Sequence, residues 1–558
     1  MTILPGSIVA TCRLSGKKFL ITQADQNFYA KMGVPLPTLC PEERCRRRLG
    51  WQNMKTLYNR TCDATGASII TNISKDKLFP VYDSPYWWSD AWDAREYGRD
   101  FDFSRPFFEQ FQELLNVVPQ PNLGRSYLLD QNSDYTNYAG GNKNCYLIFH
   151  ADMNEDCMYG VGIKKCKNVV DCFHTHSSEL MYESVDCRSS YGCAFCQDCE
   201  NCSHCWFTKN CIGCSDCFGC INLRQKKYCI FNKQYTKEEY EKMIRDLPSW
   251  DYHSLQSYRK QVDDFHCSQP QKDFQGYKND NCTGDHIFYC KDVYESFDIQ
   301  ESRDMKFCHR IYNGPNADCY DLNEYGMHIE RVYEGLAIGI NAYDIITGVF
   351  VNEQVSNIYY SIHVHHAKHC FGCIGLSRGE YCILNKQYSQ QEYEALLPKM
   401  IEHMKGTREW GEFFPLEMSP FGYNETVAQE YFPLEKFEVE DLGLTWKDEA
   451  FSHQKQQLSM NKNIDDISDD ILQETLYCEE SGKPYKIKPL ELEFLRKMKL
   501  PLPQIHPDIR HIHRFNRTND RKIYERTCHN CNNNIQTTYS PERSEIVYCE
   551  QCYEQVVE

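Results

Sequence analysis

No stretch of the 558-residue chain approaches the roughly 18 uncharged apolar residues that a membrane helix needs, so no helical span is expected. The opening MTILPGSIVATCR lacks the basic n-region and long apolar stretch of a secretory signal. Reaction motifs are missing as well. There is no phosphate-binding Gly-rich loop, GxGxxG turn, GxSxG elbow or HExxH pair. Bulk disorder is excluded too, because 25% of residues are charged and 41% are hydrophobic. The expectation is a cytoplasmic, globular protein of about four domains, whose cysteines are reduced thiols or metal ligands.

What the chain has in excess is cysteine, with 32 residues, and tyrosine, with 38. Its net charge of −18 is unevenly spread. Residues 1–71 carry +6 and residues 478–558 carry +1, which leaves −25 for the middle. An acidic middle repels phosphate, so a nucleic-acid partner would meet the ends.

Those ends are copies of one another. Shifting residues 12–71 by 466 positions onto 478–537 matches 21 of 60 residues without a gap. Cys12, Gly16, Arg44, Arg48 and Cys62 fall on Cys478, Gly482, Arg510, Arg514 and Cys528. In the C-terminal copy Cys528, Cys531, Cys549 and Cys552 form C-x2-C-x17-C-x2-C. Two knuckles joined by a hairpin would present four thiolates in the tetrahedral array that suits structural zinc. The N-terminal copy retains only Cys62, with Thr65, Asp83 and Tyr86 at the other three positions. There, Tyr86-Trp87-Trp88 is expected to hold the hairpin by apolar packing. A second set, Cys12, Cys40 and Cys45, corresponds to Cys478, His506 and His511. Every exchange keeps a residue able to ligate zinc, but Ser15 and Ser481 stand where a fourth ligand would be. The set reads either as a second metal site or as packed thiols and surface histidines.

The middle is duplicated as well. CFGCINLRQKKYCIFNKQY (217–235) and CFGCIGLSRGEYCILNKQY (370–388) match at 13 of 19 positions. The first unit has cysteine every third residue from Cys193 to Cys205 and again from Cys211 to Cys220. At the 153-residue shift Cys193, Cys196, Cys202, Cys205 and Cys211 become Ile346, Val349, Val355, Ile358 and Val364, while Cys199 becomes Asn352. A branched apolar side chain cannot bind metal but fills the same slot, so these thiols read as an inward core ladder rather than as ligands. Short stacked strands that bury a narrow core make a solenoid. The fold class is therefore mainly β: two tandem parallel β-solenoid-like units flanked by duplicated zinc-ribbon-type α+β modules. Small irregular Cys-rich metal modules are the alternative.

The expected segments are a degenerate zinc-ribbon-type module (1–90), a helical connector (91–129), the first solenoid unit with its capping helix (130–243), a linker (244–280), the second solenoid unit with its capping helix (281–405), an aromatic, proline-rich arm (406–470) and the C-terminal zinc-ribbon module (471–558). Helices are expected near 105–117, 236–247, 389–404 and 489–499. His363, His365, His366 and His369 should face away from the solenoid core. Arg44, Arg46, Arg47 and Arg48 are the densest basic cluster. They are the candidate contact for an acidic partner, unless the two shared arginines serve the module's own packing.

The strings YWWSDAWDAREYGRDFDFSRPFFEQF, NSDYTNYAGGNKNCYL, YCIFNKQYTKEEY and FGYNETVAQEYFPL resemble a family of uncharacterised Cys-rich zinc-ribbon and repeat proteins of candidate phyla radiation bacteria. The resemblance runs over nearly the whole chain and implies no established activity. Relatives often keep the full cysteine set in the N-terminal ribbon, and this sequence departs from that at Thr65, Asp83 and Tyr86. Some members carry a CaiB/BaiF-type CoA-transferase label. The repeats here replace the alternating βαβ pattern such an enzyme would show, and no acidic nucleophile can be assigned. The leading expectation is a non-enzymatic zinc-binding scaffold or adaptor whose partner is a protein or RNA, with no small-molecule substrate. The alternatives are a nucleic-acid or ribosome-associated ribbon protein and an enzyme acting in the solenoid groove.

Overall fold

The structure, a computed structural model, describes residues 5–247, 251–448 and 463–557. Parts of the expected N-terminal module, linker, arm and C-terminal module lie outside the described residues. The fold is mainly β, with a β-solenoid of about 20 turns between residues 125 and 383. No helix among the described residues is long and apolar enough to cross a membrane.

The seven consecutive segments fold as two interleaved units. Unit 1 comprises Met1–Asn122, Phe274–Lys447 and Arg521–Ile523, and unit 2 comprises Leu123–Asp273, Asp448–Asp520 and Tyr524–Glu558. Each unit therefore pairs a terminal module with the solenoid run that is not its neighbour in sequence.

The first run, in unit 2, explains the three-residue cysteine spacing. Tyr182 bridges Ala194, and Ala194 bridges Trp206. One coil is thus 12 residues, or four sides of three. Each side ends in a residue with positive φ, such as Asn201 at 54°, His204 at 52° and Asn210 at 48°. Asn, Asp and Gly adopt that conformation at little cost, which explains their frequency between the core positions. The next residue turns inward. Fifteen cysteines from Cys145 to Cys229 share one buried interior cluster. Their thiols lie within reach of the carbonyl two residues back: Cys199 Sγ is 3.3 Å from Gln197 O, and Cys202 Sγ is 3.5 Å from Glu200 O. Burial pushes the Cys166 thiol up to about 11 and the Cys172 thiol up to about 12. Buried thiols within reach of neighbouring carbonyls match the core ladder expected.

The second run, in unit 1, is wider upstream. Tyr333 pairs with Ile346 and Ile346 with Tyr359, a step of 13 residues, and Met305 pairs with Cys319, a step of 14. These insertions correct the alignment at a fixed shift of 153. Upstream of Val355 the buried interior residue opposite Cys193 is Ile345, and Val351 rather than Asn352 stands opposite Cys199. The wider coils hold Val332, Ile338, Ile345 and Val351, where the tighter ones hold thiols.

An antiparallel turn and a helix close each run. Lys227–Ile230 pairs with Lys233–Gln234, and helix Lys237–Arg245 follows behind a Thr236/Glu239 capping box. Glu380–Ile383 pairs with Lys386–Gln387, and helix Gln390–Gly406 follows behind Ser389/Glu392. Helices Phe107–Leu115 and Pro489–Met498 form near their expected places. The linker, by contrast, contains a long helix. Tyr252–Cys267 lays Leu255, Tyr258 and Val262 on the core of the first run.

Candidate metal centre and the docking helices

Four knuckles of one backbone design occur in the two modules. Cys12, Cys62, Cys478 and Cys528 each follow the first strand of a hairpin and accept an N–H bond from the residue four positions on, at 2.9–3.0 Å. That residue has positive φ in every case: Gly16, Gly66, Gly482 and Asn532. The turn brings the residue three positions after the cysteine round beside it, with side-chain contact for Ser15 and Cys531 and a backbone N–H contact for Ser481. The four residues at that position are Ser15, Thr65, Ser481 and Cys531.

Only the last knuckle completes a four-cysteine group. The ligand atoms of Cys528, Cys531, Cys549 and Cys552 lie within 4.8 Å of one another, and Cys531 Sγ is 3.8 Å from Cys549 Sγ. Bonds of about 2.3 Å in a tetrahedron place sulfurs about 3.8 Å apart, so the group has the size of a tetrahedral thiolate metal site. Burial would push the Cys528 thiol up, but the N–H groups of Cys531, Cys549 and Asn530 bring it down to about 6. The Cys552 N–H favours the Cys549 thiolate, yet burial and the neighbouring thiols push Cys549 up to about 12. Four crowded thiolates repel one another, and a bound cation removes that conflict. All four positions are cysteine sulfurs, a donor set of the kind that fills a tetrahedral ion and leaves no open position.

The route to this group differs from a two-knuckle ribbon. Asn534–Thr537 pairs with Tyr524–Thr527, whereas Val547–Tyr548 pairs in parallel with Gln271–Lys272. The second cysteine pair sits at the start of helix Glu550–Val557, not in a second hairpin turn.

In the N-terminal copy apolar packing is present around Cys62, Ile69, Phe79 and Val81, with Tyr86 against Tyr82, and a polar bridge joins it. Thr65 Oγ1 donates to Asp83 Oδ2 at 3.1 Å, where the C-terminal copy has Cys531 and Cys549. Asp83 N donates to Cys62 Sγ at 3.3 Å, matching Cys549 N to Cys528 Sγ at 3.2 Å. Asp83 also caps helix Ser84–Trp87 by accepting from Tyr86 N at 2.8 Å.

The second proposed metal set does not converge among the described residues. Ser15 Oγ lies 3.8 Å from Cys40 Sγ, beside Cys12. Cys45 lies apart, 3.7 Å from His309 Nδ1. In the other copy Cys478 accepts from Ser481 N, His506 caps its helix by accepting from Asp508 N, and His511 is buried against Phe173. The bridging distances of a shared ion are absent from both described sets.

The basic cluster is also corrected. Three of its four arginines are buried: Arg44 at 1%, Arg47 at 8% and Arg48 at 0% exposure. Helix Pro41–Leu49 uses them to dock on the second solenoid run. Arg44 Nε donates to Asp321 Oδ2 at 2.9 Å. Arg48 Nη1 lies 3.1 Å from Asp321 Oδ1 and donates to Glu334 Oε2 at 2.5 Å. Arg47 bridges Glu334 and Glu412 at 3.0 and 2.8 Å. Arg46 pairs with Glu43.

Helix Pro507–Phe515 repeats this docking in unit 2. Arg510 pairs with Asp171 and, at 3.1 Å, with Glu491. Arg514 Nη1 donates to Asp171 Oδ1 at 2.8 Å. Arg44 lies 5.1 Å from the Phe307 ring and Arg510 4.9 Å from the Tyr159 ring. Burial holds the Asp171 carboxyl above the usual carboxylate range even against both arginines.

Asp171 and Asp321 were missed in the sequence. Counted by coils back from the shared motif, Phe218, Trp206, Ala194, Tyr182 and Val170 match Phe371, Tyr359, Ile346, Tyr333 and Tyr320. Asp171 and Asp321 come next in each chain segment, as do Glu183 and Glu334 one coil on. The longer coils hide this match from any constant shift. The retained arginines were the only signal.

The histidines flank the core positions as expected, but two are covered. The ring centroid of His365 is 4.5 Å from that of Trp88, and His363 packs against Phe350 and Trp87. Burial holds His363 down at about 4 and His365 at about 3. Comparison of the chain with protein-family models, with curated proteins and with solved structures gives no match.

Proposed function

We propose that the protein is a non-enzymatic scaffold or adaptor, clamped by structural zinc at Cys528, Cys531, Cys549 and Cys552, that presents solenoid faces to a macromolecular partner in the cytoplasm. The observation that carries this reading is the use made of the charged groups. Arg44, Arg47, Arg48, Arg510 and Arg514 are buried against carboxylates of their own unit. The RNA-binding alternative thereby loses the residues first assigned to it. What reaches solvent is a set of stacked rows, such as Lys143–Glu155–Lys167 with contacts of 2.9 and 3.1 Å. Such rows suit recognition by extended surfaces. The closed thiolate set supports zinc as a structural ion. The cysteines are free rather than paired, as in a reducing compartment.

The test is native purification without chelator, followed by metal analysis and identification of co-purifying macromolecules. About one zinc per chain and a stoichiometric macromolecular partner are expected. Metal-free protein overturns the zinc assignment, and a chain that co-purifies with no macromolecule overturns the scaffold reading.

A further inference from the structure

The closing turns of the two solenoid runs share the sequence Asn-Lys-Gln-Tyr, at 232–235 and 385–388. They also share local geometry. Asn232 Oδ1 accepts from Ile221 N at 2.9 Å, and Asn385 Oδ1 accepts from Ile374 N at 2.8 Å. Lys233 Nζ lies 5.1 Å from the Tyr235 ring, and Lys386 Nζ lies 5.3 Å from the Tyr388 ring.

In unit 1 a peptide segment of the same unit covers this turn. Asn385 Nδ2 donates to Ala94 O at 3.0 Å, and Arg99 N donates to Leu384 O at 3.2 Å. Lys386 Nζ and Tyr388 Oη both donate to Asp100 Oδ1, at 2.7 and 2.8 Å. The approach is close: a Cβ on Gly98 would stand 2.8 Å from Lys386 Cα. Asn385 and Leu384 are fully buried as a result.

In unit 2 Phe231 packs against Phe265, but no segment crosses the polar side of the equivalent turn among the described residues. Lys233 and Gln234 are exposed, and Asn232 and Phe231 are only half-buried. Among the described residues, no carboxylate pairs with Lys233 and no acceptor takes the Asn232 amide. Lys226 and Lys227, both exposed, stand where the second run has Gly379 and Glu380, so this surface is the more cationic of the two.

We infer that the end of the first solenoid run is a docking site for an acidic peptide segment of a partner protein, bound as Ala94–Asp100 is bound in unit 1. A backbone carbonyl would meet the Asn232 amide, a small residue would pass over Lys233, and a carboxylate two residues later would pair with Lys233 and Tyr235. The inference rests on the scaffold reading and gives its partner a chemistry. Charge complementarity sets the preference for an acidic segment and makes binding weaken with salt.

The test uses the full-length protein and a fluorescent synthetic peptide of residues 89–103, SDAWDAREYGRDFDF, read by anisotropy. Saturable binding is expected. Lys233→Glu, Asn232→Ala and a peptide with lysine at the Asp100 position should each weaken it at least tenfold. Lys233 is exposed, so Lys233→Glu should leave the fold intact, which circular dichroism would check. Binding equal in wild type and Lys233→Glu, or none at millimolar peptide, overturns the site. So does tighter binding of single-stranded RNA that Lys233→Glu abolishes. These outcomes are independent of the co-purification test, so failure of the site and failure of the scaffold reading are separately visible.

Discussion

The hairpin knuckles at Cys62 and Cys528 have the same strand register, the same positive-φ turn and the same N–H donors to the first sulfur. They differ in what closes them. One uses a hydroxyl–carboxylate bond of 3.1 Å, and the other uses four thiolates gathered within 4.8 Å. A backbone that can be closed by either means does not owe its shape to the metal. An ion held by the four cysteines would supply closing energy, not a template, and the other copy has the Thr65–Asp83 bond and the apolar cluster around Cys62 in its place.

Metal removal should separate the copies most strongly. Chelation, or Cys549→Ser, should open the hairpin Tyr524–Thr527/Asn534–Thr537 and helix Glu550–Val557, because structural zinc provides much of the folding energy of so small an element. Tyr58–Thr61/Ser68–Thr71 should stay closed. Hydrogen exchange of the two hairpins, compared within one sample, reads the contrast. Equal opening would show that the Thr65–Asp83 bridge is no substitute. The converse design sharpens the point. Thr65→Cys, Asp83→Cys and Tyr86→Cys together should raise bound metal from one to two ions per chain.

The docking helices should be hit next hardest. Arg48→Ala leaves Asp321 and Glu334 buried with fewer partners, and Arg514→Ala does the same to Asp171. Removing one side of a buried pair costs about 3–5 kcal/mol. The loss should be larger in unit 2, where Arg514→Ala leaves Asp171 only Arg510, which Glu491 shares, than in unit 1, where after Arg48→Ala Asp321 keeps Arg44 and Glu334 keeps Arg47. Denaturant unfolding of each single variant would show it.

Acid should then distinguish the module faces. Trp87 and Trp88 cover His363 and His365, whereas Tyr553, the counterpart of Trp87, rests on Asn210 and Asn222, which do not titrate. Both histidines are held below their unfolded value of about 6.5. The native state therefore binds fewer protons, and their contribution is full above pH ~6.5 and lost as pH falls toward 4. The loss by pH 4 is about 3 kcal/mol for each histidine. In His363→Gln/His365→Gln, exchange of helix Ser84–Trp87 should lose that pH slope. An unchanged slope would place the acid-sensitive groups elsewhere.

The smallest effect compares the solenoid cores. Cys202→Val should cost no more than about 1.5 kcal/mol, since Val355 fills the matching slot at 2% exposure. Cys202→Asp should fail by burying an unpaired charge. A larger loss in Cys202→Val would mean that the thiol's bonds to the Glu200 and Cys211 carbonyls, which valine cannot make, hold this slot.

Much of this architecture is legible in the sequence because it is periodic. Three-residue spacing of cysteines gives the interior columns, and substitution by Val355, Ile358 and Val364 identifies them as core. Capping boxes at Thr236 and Ser389 place both closing helices. The four-cysteine group follows from spacing alone. What stays hidden is pairing at a distance. Nothing local in helix Pro41–Leu49 says that Arg44 meets Asp321, 277 residues away, and a dense basic run reads as a surface until its carboxylates are found. Coil insertions of one or two residues then displace those carboxylates from the alignment that relates the runs. The Thr65–Asp83 bridge is hidden for another reason: sequence shows which ligands were lost, but not which of the replacements bond to one another.

The crossed pairing of modules and solenoids has a consequence during synthesis. Asp171 is laid down in the first run, but Arg510, its partner, follows 339 residues later. At roughly 5–20 residues per second, the ribosome needs on the order of 20–70 s to bring them together. Through that interval the first run exists as a nascent solenoid with an uncompensated acidic socket, while the basic helix of the N-terminal module waits for a run not yet translated. Neither unit can be completed until segments from both ends of its span have emerged, so each docking contact closes long after its first partner is made.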